Sequence, residues 1–350
     1  MIHTDILIIG ASPVGLFAVF EAGLLQLRCH IIDALPQVGG QLSEIYPKKP
    51  IYDIPGFPEV LAGDLVKNLE EQIAPFNPGY TLGEKAETLE KLQDGSFKVT
   101  SSSGLEHYAK VVFIAGGLGS FEPRKPPLER IEHFEGKGVD YFIKEPEVYR
   151  DKHVVIAGGG DSALDWAIFL QKVAKKVTLV HRRKEFRGAL DSVEKVRDLV
   201  KTNDISLITE AEVKKLLGEN QLKGVNVKHK SGDEDQIQAD YFLPLFGLTP
   251  KIGPIGGWGL DIEKNAIKVN NAVDYQTNIP GVFAIGDVNT YTGKLKLILC
   301  GFHEAAIAAQ FAYNIIHPGK RFVMKYTTVN GVNGFDGVKK ESKKQVVNTI

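Results

Sequence analysis

The sequence contains few of the residues on which several protein classes depend. Among its 350 residues there are two cysteines, Cys29 and Cys300, and they form no CxxC pair. This scarcity excludes a disulfide framework and a thiolate metal cluster, and no metal site is predicted. The apolar runs, such as 6–9 and 111–114, are far shorter than the roughly 20 residues that cross a bilayer. No membrane partner is therefore expected.

Neither sign of charge is in excess. Lys and Arg together number 42 and Asp and Glu 43, which gives a formal net charge of −1. A balanced chain of this kind is not expected to bind nucleic acid. The first residues carry no basic segment or small-residue cleavage site, so a cytoplasmic location is predicted. The length is sufficient for two domains, each with its own core.

Glycine is the residue in excess, because 36 glycines among 350 residues is about 10%, above the ~7% average. Its first cluster is Gly10-Ala11-Ser12-Pro13-Val14-Gly15, which follows the strand-like run 5–9 and precedes a helix-like stretch. A second strand-like run, 28–32, ends at Asp33. The order of strand, glycine turn, helix, strand and acid is typical of a Rossmann dinucleotide-binding unit.

Each residue of this first pattern has an expected task. Gly10 permits the tight turn, Pro13 fits the first turn of the helix, and Gly15 allows close packing. The helix N-terminus then faces a pyrophosphate, and Asp33 accepts hydrogen bonds from ribose hydroxyls. Ser12 is a departure, since the pattern has a glycine at that position. A turn that binds nothing is the alternative, and the acid at the expected spacing favours a nucleotide site.

The same pattern returns in the second half of the chain, with one change. Strand-like run 153–157 leads into Gly158-Gly159-Gly160-Asp161-Ser162-Ala163, a helix and a further strand. Asp33 lies 23 residues after Gly10; the same offset from Gly158 leads to His181, which Arg182 and Arg183 follow. Guanidinium groups bind a 2′-phosphate that a carboxylate would repel, so NADP is predicted here. The predicted contacts are Gly158, Gly160, Asp161, Ser162, His181, Arg182, Arg183 and Arg187.

Two nucleotide sites in one chain indicate electron transfer. A nicotinamide delivers a hydride, and a flavin is the usual acceptor, so the first site is predicted to bind FAD. Towards the end of the chain, Gly286-Asp287 follows the apolar run 282–285 and precedes an alanine-rich helix-like stretch, 301–316. Asp287 is thus a carboxylate at a strand end, where it can accept from ribitol hydroxyls.

Together these segments resemble the thioredoxin-reductase-like ferredoxin NADP reductases over nearly the whole chain. The matching segments are Gly10 to Gly15, Leu35-Pro36-Gln37-Val38-Gly39-Gly40-Gln41-Leu42, Ile51-Tyr52-Asp53-Ile54-Pro55-Gly56, Gly158 to Ala163, His181-Arg182-Arg183 and Gly286-Asp287. The expected fold class is α/β, with two Rossmann-like, three-layer ββα dinucleotide-binding domains. The FAD domain is expected to be discontinuous, 1–121 and 247–350, with the NADP domain, 122–246, inserted. The resemblance also implies a homodimer.

The resemblance implies specific roles at the flavin. The residues assigned to FAD are Gly10, Ser12, Pro13, Gly15, Asp33, Gln41, Tyr46, Ala86, Phe121, Asp287, Tyr326 and Thr328. Gln41 and Thr328 are expected near the isoalloxazine, with Tyr46 stacked on one face and Tyr326 of the partner subunit on the other. Ala86 is expected on the adenine side and Phe121 near the domain crossover. No general acid or base is assigned, and the adjacent pair His303-Glu304 is interpreted as structural.

One element of the wider superfamily is missing. In thioredoxin reductases a CxxC follows a segment resembling 134–141, whereas this chain has Phe142 and Glu145 at the thiol positions. Electrons must then leave for a separate one-electron carrier, which implies ferredoxin or flavodoxin and a ferredoxin–NADP(+) reductase activity. The alternatives are a disulfide reductase without its own CxxC and a nucleotide-bound sensor without turnover. A flavin monooxygenase is disfavoured, because its signature needs a histidine where Asp140 stands.

Overall fold

The computed structural model describes residues 1–117, 119, 122–249, 251–320 and 331–332. The chain divides into two compact units. Unit 1 comprises Met1–Ser120 and Lys251–Ile350, and unit 2 comprises Phe121–Pro250. Within the described ranges, no helix combines the length and the apolar character needed to span a membrane.

The first segment of unit 1 forms most of its central sheet. Its elements are β1 (Ile2–Ile9), α1 (Pro13–Leu24), β2 (Cys29–Asp33), α2 (Gln41–Glu44), β3 (Pro50–Ile51), β4 (Val60–Leu61), α3 (Ala62–Ile73), β5 (Gly79–Leu82), β6 (Ala86–Lys91), β7 (Phe97–Ser101) and β8 (Glu106–Ile114). Strand β1 pairs in parallel with β2 and β8. It begins at Ile2, earlier than the strand-like run 5–9 predicts, because Ile2, His3 and Thr4 pair with 107–109 of β8.

Unit 2 contains a parallel sheet and a separate antiparallel sheet. Its elements are β9 (Glu122–Pro123), α4 (Ile131–Phe134), β10 (His153–Ala157), α5 (Asp161–Leu170), β11 (Lys176–His181), α6 (Leu190–Lys201), β12 (Ile205–Thr209), β13 (Ala211–Leu217), β14 (Gly224–His229), β15 (Glu234–Gln238), β16 (Tyr241–Pro244) and β17 (Leu248–Thr249). The parallel order is β12-β11-β10-β16, and β13-β14-β15 form the antiparallel sheet.

The chain then returns to complete unit 1. The remaining elements are β18 (Ile262–Glu263), β19 (Ala266–Lys268), β20 (Val282–Ala284), β21 (Asn289–Thr290) and α7 (Ile298–Ile316). Single-turn 3-10 helices occupy Ala74–Phe76, Pro146–Tyr149, Gly253–Gly257 and Gly286–Val288. The main sheet of unit 1 has the order β5-β2-β1-β8-β7-β6, and β20 pairs in parallel with β8. The returning segment is therefore joined to the strand next to β1.

Alternation along the buried strands separates two cores in unit 1. Ile6 and Ile8 of β1 lie in the cluster that packs against α1, α3 and α7. Leu7 and Ile9 point to the opposite face, where they join Val99 and other residues of the antiparallel strands. Successive strand residues face opposite sides of a sheet, so the apolar residues of β1 contribute to the core on each side of the sheet. This layered α/β architecture confirms the predicted fold class.

The boundaries of the two compact units lie within a few residues of the domain boundaries that the sequence predicts. The sequence interpretation assigned residues from 247 onward to the FAD domain. Leu248 pairs with Pro123, and Thr249 pairs with Glu122, in the short β9–β17 ladder. Because both strands of this ladder belong to unit 2, the chain leaves unit 2 after residue 250.

Candidate functional site

The first glycine turn packs directly against the end of β8. Gly10 has φ +114°, a conformation that L side chains rarely adopt. A Cβ at this position would lie 2.5 Å from the carbonyl oxygen of Ala115. The amide of Gly10 donates to the carbonyl of Ile32, 2.9 Å away, so the turn also continues the pairing with β2. A residue without a side chain is required here.

Ser12, the departure from the glycine pattern, turns its side chain into the protein. Its hydroxyl donates to the carbonyl of Ala115 at 2.7 Å and accepts from the amide of Gly15 at 3.3 Å. The second bond satisfies one of the free amides at the start of α1, as a side-chain N-cap does. The Cβ at this position is therefore accommodated because the hydroxyl has two partners within unit 1.

Asp33 is fixed beside the turn. One carboxylate oxygen accepts from the amide of Ala11 at 2.6 Å, and the other accepts from the amide of Leu35 at 2.7 Å. Burial raises the pKa of Asp33, and these two backbone hydrogen bonds act in the opposite direction. Each oxygen of a carboxylate can accept more than one hydrogen bond. Asp33 therefore retains capacity to accept from hydroxyl groups.

Gln41 lies near the same turn. The amide of Gly39 donates to the carbonyl of Ala11 at 2.7 Å, which draws the loop after β2 over the glycine turn. Gln41 then begins α2. Its side-chain nitrogen would be 3.9 Å from a Cβ placed on Gly117. This amide thus lies beside the segment that follows β8.

The charge of Asp287 acts on Tyr46 although the two residues are far apart in sequence. Burial raises the pKa of Tyr46 to about 12, and the charges of Asp287 and Asp53 add to the effect. Asp287 is half-buried in the 3-10 turn directly after β20. Burial raises the pKa of Asp287, while the neighbouring charges of Lys294 and Lys296 lower it. The phenol of Tyr46 and the carboxylate of Asp287 therefore lie within electrostatic range of one another in unit 1.

Glu304 of α7 holds the turn that carries Asp287. One of its oxygens accepts from the amide of Gly286 at 2.7 Å and from the side chain of Asn289 at 2.8 Å. The other accepts from the hydroxyl of Tyr291 at 2.8 Å and from the ammonium of Lys294. Glu304 is fully buried. The structural interpretation of this residue agrees with its surroundings.

Sequence reasoning missed the extent of this network. The available signal is a carboxylate among the buried alanines of α7, beside Ala305 and Ala308. An acid on an apolar helix face requires buried partners. His303, the other member of the pair, is exposed.

Of the other residues assigned to FAD, Ala86 lies in the part of the chain that the structure describes. Ala86 begins β6 and is buried in the cluster that contains Ile9 and Ile32, on the face opposite α1. Phe121, Tyr326 and Thr328 lie outside the described residues.

The second glycine turn follows β10 in unit 2. A Cβ on Gly158 would lie 2.6 Å from the Cβ of Ala163 and 2.7 Å from the carbonyl oxygen of Leu245. Gly160 instead has open space around it. Asp161 begins α5, and its carboxylate accepts from the amide of Ala189 at 2.7 Å. No side chain caps this helix at Gly160, so its first amides are available to an anion.

The four residues at the predicted phosphate position are not alike. The ring of His181 is buried behind Gly159 and stacks on Phe186, with 5.1 Å between the ring centroids. Burial lowers the pKa of His181, which favours the neutral ring. Arg182, Arg183 and Arg187 are exposed. The amide of Arg187 donates to the carbonyl of Gly159 at 2.8 Å, so this loop folds back onto the turn.

The donor sets of the two units fit different nucleotides. Unit 1 offers a narrow glycine turn with carboxylate acceptors, which suits a dinucleotide whose ribose and ribitol hydroxyls are free. Unit 2 offers uncapped amides and exposed guanidinium groups, which suit a 2′-phosphate. Fold and donor sets together define a flavin- and pyridine-nucleotide-dependent class of oxidoreductase. The chain belongs to the pyridine nucleotide-disulphide oxidoreductase family, whose model matches residues 4–309.

Similar proteins span the whole chain. A protein named ferredoxin–NADP reductase 1 from Christiangramia forsetii is 71% identical, with all of both chains covered. One named ferredoxin–NADP reductase from Flavobacterium johnsoniae is 70% identical, again with both chains fully covered. A protein of the same name from a Bradyrhizobium species is 51% identical and covers 93% of this chain and 95% of its own.

Solved structures support the fold. The thioredoxin reductase of T. acidophilum has a TM-score of 0.78 at 24% identity, covering 90% of this chain and 99% of that one. The bacillithiol disulfide reductase of Staphylococcus aureus has a TM-score of 0.72 at 20% identity, covering 89% and 98%. Similarity at this level of identity concerns the arrangement of the chain and not its activity.

The two cysteines differ in their surroundings, and both are free. Cys29 is buried in β2, and burial raises the pKa of its thiol. Cys300 is half-buried in the first turn of α7. A buried thiol with a raised pKa is a poor nucleophile, so Cys29 is unsuited to thiol–disulfide exchange.

Proposed function

We propose that this protein is a ferredoxin–NADP(+) reductase that binds FAD in unit 1 and NADP(H) in unit 2. The observation that carries the proposal is the 71% identity, over the full length of both chains, with a protein of that name. The different chemistry of the two strand ends, a carboxylate in one unit and arginines in the other, supports the same division of cofactors.

In unit 1 the glycine turn from Gly10 to Gly15 and the start of α1 would hold the pyrophosphate of FAD. Asp33 would accept from the adenosine ribose, and Asp287 from the ribitol. Gln41 and Tyr46 would flank the isoalloxazine, and Ala86 would lie on the adenine side. When bound, FAD supplies the means to accept a hydride and to release electrons one at a time.

In unit 2 the uncapped start of α5 would hold the pyrophosphate of NADP(H). Gly160, Asp161 and Ser162 are exposed there. Arg182, Arg183 and Arg187 would pair with the 2′-phosphate through charge-assisted hydrogen bonds. His181 would support the turn from behind, since its ring is buried.

The acceptor is proposed to be ferredoxin or flavodoxin. Phe142 and Glu145 occupy the places of a redox dithiol, and Cys29 is buried. Electrons therefore have no internal disulfide to reduce. The proposal also includes a cytoplasmic homodimer, with Phe121, Tyr326 and Thr328 completing the flavin environment.

The test is an anaerobic titration of the purified protein with NADPH, followed by addition of ferredoxin. We expect a flavin absorbance spectrum, its bleaching by NADPH, and reduction of ferredoxin in proportion to the enzyme. NADPH oxidation by ferricyanide distinguishes an enzyme from a sensor. Reduction of dithionitrobenzoate through thioredoxin, in place of ferredoxin or flavodoxin reduction, would contradict the proposed acceptor.

A further inference from the structure

Lys294 is a buried cation that pairs with the carboxylate of Glu304. Its side chain is 6% exposed and contacts Glu304, which is 0% exposed. Its charge also acts on Asp287 and lowers the pKa of that carboxylate. An ammonium removed from water requires an anionic partner. Lys294 therefore has one direct partner and a second carboxylate within electrostatic range.

Asp287 differs from Glu304 in the use of its oxygens. Glu304 accepts four hydrogen bonds, from the backbone of Gly286 and from three side chains. Among the described residues, by contrast, no donor bonds to the carboxylate of Asp287. An aspartate in this state can accept hydrogen bonds from a ligand, whereas an aspartate paired with an ammonium has part of that capacity occupied.

We propose that Glu304 is a positioning residue that retains Lys294 and thereby keeps the carboxylate of Asp287 available to the ribitol hydroxyls of FAD. The inference rests on the proposed FAD site of unit 1. It assigns Glu304 two tasks. The bond to the amide of Gly286 fixes the turn, and the contact with Lys294 prevents that ammonium from pairing with Asp287.

Removal of one charge at a time separates these tasks. In Glu304→Gln the side-chain oxygen can still accept from Gly286, but Lys294 loses its anion. Asp287 is then the carboxylate on which the charge of Lys294 still acts. In Lys294→Met the carboxylate of Glu304 keeps the bonds that fix the turn, and the ammonium that Glu304 holds is removed. The charge of Lys296, which also acts on Asp287, is the same in every variant. The two variants should therefore affect FAD unequally.

The experiment measures the FAD dissociation constant from the flavin fluorescence released on dilution of the holoprotein. We expect Glu304→Gln to weaken FAD binding about tenfold or more, the factor expected when a charge-assisted hydrogen bond is lost. Lys294→Met and the double variant Glu304→Gln/Lys294→Met should both remain within about threefold of the wild type. Glu21→Gln, which changes a half-buried carboxylate of α1 in the same unit, is the matched control and should leave the constant unchanged.

Several results would overturn the inference. Wild-type affinity in Glu304→Gln would show that Lys294 does not compete for Asp287. Equal weakening in Glu304→Gln and in the double variant would show that Glu304 acts through the turn alone. If Glu304→Gln does not fold, judged by circular dichroism, the other two variants still decide, because about tenfold weaker binding in either contradicts the proposal. If the wild type binds FAD and reduces ferredoxin, but all variants have the same FAD dissociation constant, this inference is wrong and the proposed function still stands.

Discussion

The two glycine turns each follow a buried parallel strand, β1 in unit 1 and β10 in unit 2. The units differ in the residues at the end of the next strand, which is β2 in unit 1 and β11 in unit 2. In unit 1 the carboxylate of Asp33 is tied to the turn by the amide of Ala11. In unit 2 the corresponding His181 places a neutral ring behind Gly159, and exposed arginines follow it. Tight backbone packing is therefore common to both turns. The residues at the end of the next strand determine whether a unit presents a carboxylate or guanidinium groups to a nucleotide.

The helix starts differ as well. Ser12 caps α1 with its hydroxyl, whereas Gly160 leaves the first amides of α5 without a side-chain partner. A capped start uses one amide internally, and an uncapped start offers more of them to an anion. The two helix starts therefore differ in how many of their backbone amides remain available to bind a phosphate.

The largest effect expected from this comparison concerns the glycines themselves. Gly10→Ala should abolish FAD binding and destabilise unit 1 by on the order of 3 kcal/mol, because its positive φ and the contact with Ala115 both resist a Cβ. Gly160→Ala is the control, with open space around it and an expected cost of about 0.5 kcal/mol. Denaturant unfolding and flavin content measure both effects. Equal effects of the two substitutions would contradict the packing argument.

The strand end of unit 2 should control the choice of nicotinamide nucleotide. Replacement of both Arg182 and Arg183 by Ala is expected to raise the KM for NADPH about a hundredfold, because two charge-assisted hydrogen bonds are lost. The KM for NADH should change little. Arg150→Ala removes an exposed arginine of the same unit that pairs with Glu147, and it should leave both constants unchanged. Unaltered discrimination in the double variant would show that these arginines do not contact the 2′-phosphate.

The strand end of unit 1 should matter for FAD. In Asp33→Asn one amide hydrogen would face the amide of Ala11 or of Leu35, since both backbone groups are donors. We expect FAD binding to weaken about tenfold. Flavin fluorescence on dilution provides the measurement. Retention of wild-type affinity would contradict the assignment of Asp33 to the ribose.

The same carboxylates predict a direction for the pH dependence. Burial raises the pKa values of both Asp33 and Asp287 above that of an ordinary aspartate. The ionised forms accept hydrogen bonds, so FAD affinity should decline on acidification and should begin to do so at a higher pH than ordinary aspartates would cause. The decline should approach about tenfold per pH unit for each group that becomes protonated. An FAD affinity that stays constant on acidification would contradict the proposal that the carboxylates of Asp33 and Asp287 accept hydrogen bonds from FAD.

The smallest effect is expected at Ser12. Ser12→Gly restores the glycine pattern but removes the N-cap and the bond to Ala115. We expect a loss of about 1 kcal/mol of stability, with FAD affinity within a few-fold of the wild type. Thermal unfolding of the apoprotein and the FAD dissociation constant test the two statements separately. A large loss of FAD binding would show that the hydroxyl contacts the cofactor.

Local sequence patterns predicted the parts of the fold that depend on local chemistry. The strands 5–9 and 153–157, the glycine turns and the acid at the end of β2 could be placed by spacing alone. The observed bounds differ from the predicted ones where pairing extends a strand, as it does when Ile2, His3 and Thr4 at the start of β1 pair with β8. Hydrophobic patterning does not indicate this extension, because two of the three additional residues, His3 and Thr4, are polar.

Contacts between distant parts of the sequence were harder to foresee. The inward turn of Ser12 depends on Ala115, 103 residues away. The burial of His181 depends on Phe186 and on the absence of a side chain at Gly159. The network around Glu304 joins α7 to the turn after β20. These arrangements follow from the packed chain and leave little trace in any single segment.

The environments of the two thiols have a practical consequence. Burial protects Cys29 from reagents that require a thiolate, while Cys300 is partly accessible at the start of α7. A maleimide or spin label would therefore attach at Cys300 without any engineered cysteine. It lies about one helical turn before Glu304, so a reporter attached there would sense rearrangements of the surrounding side chains as ligands bind.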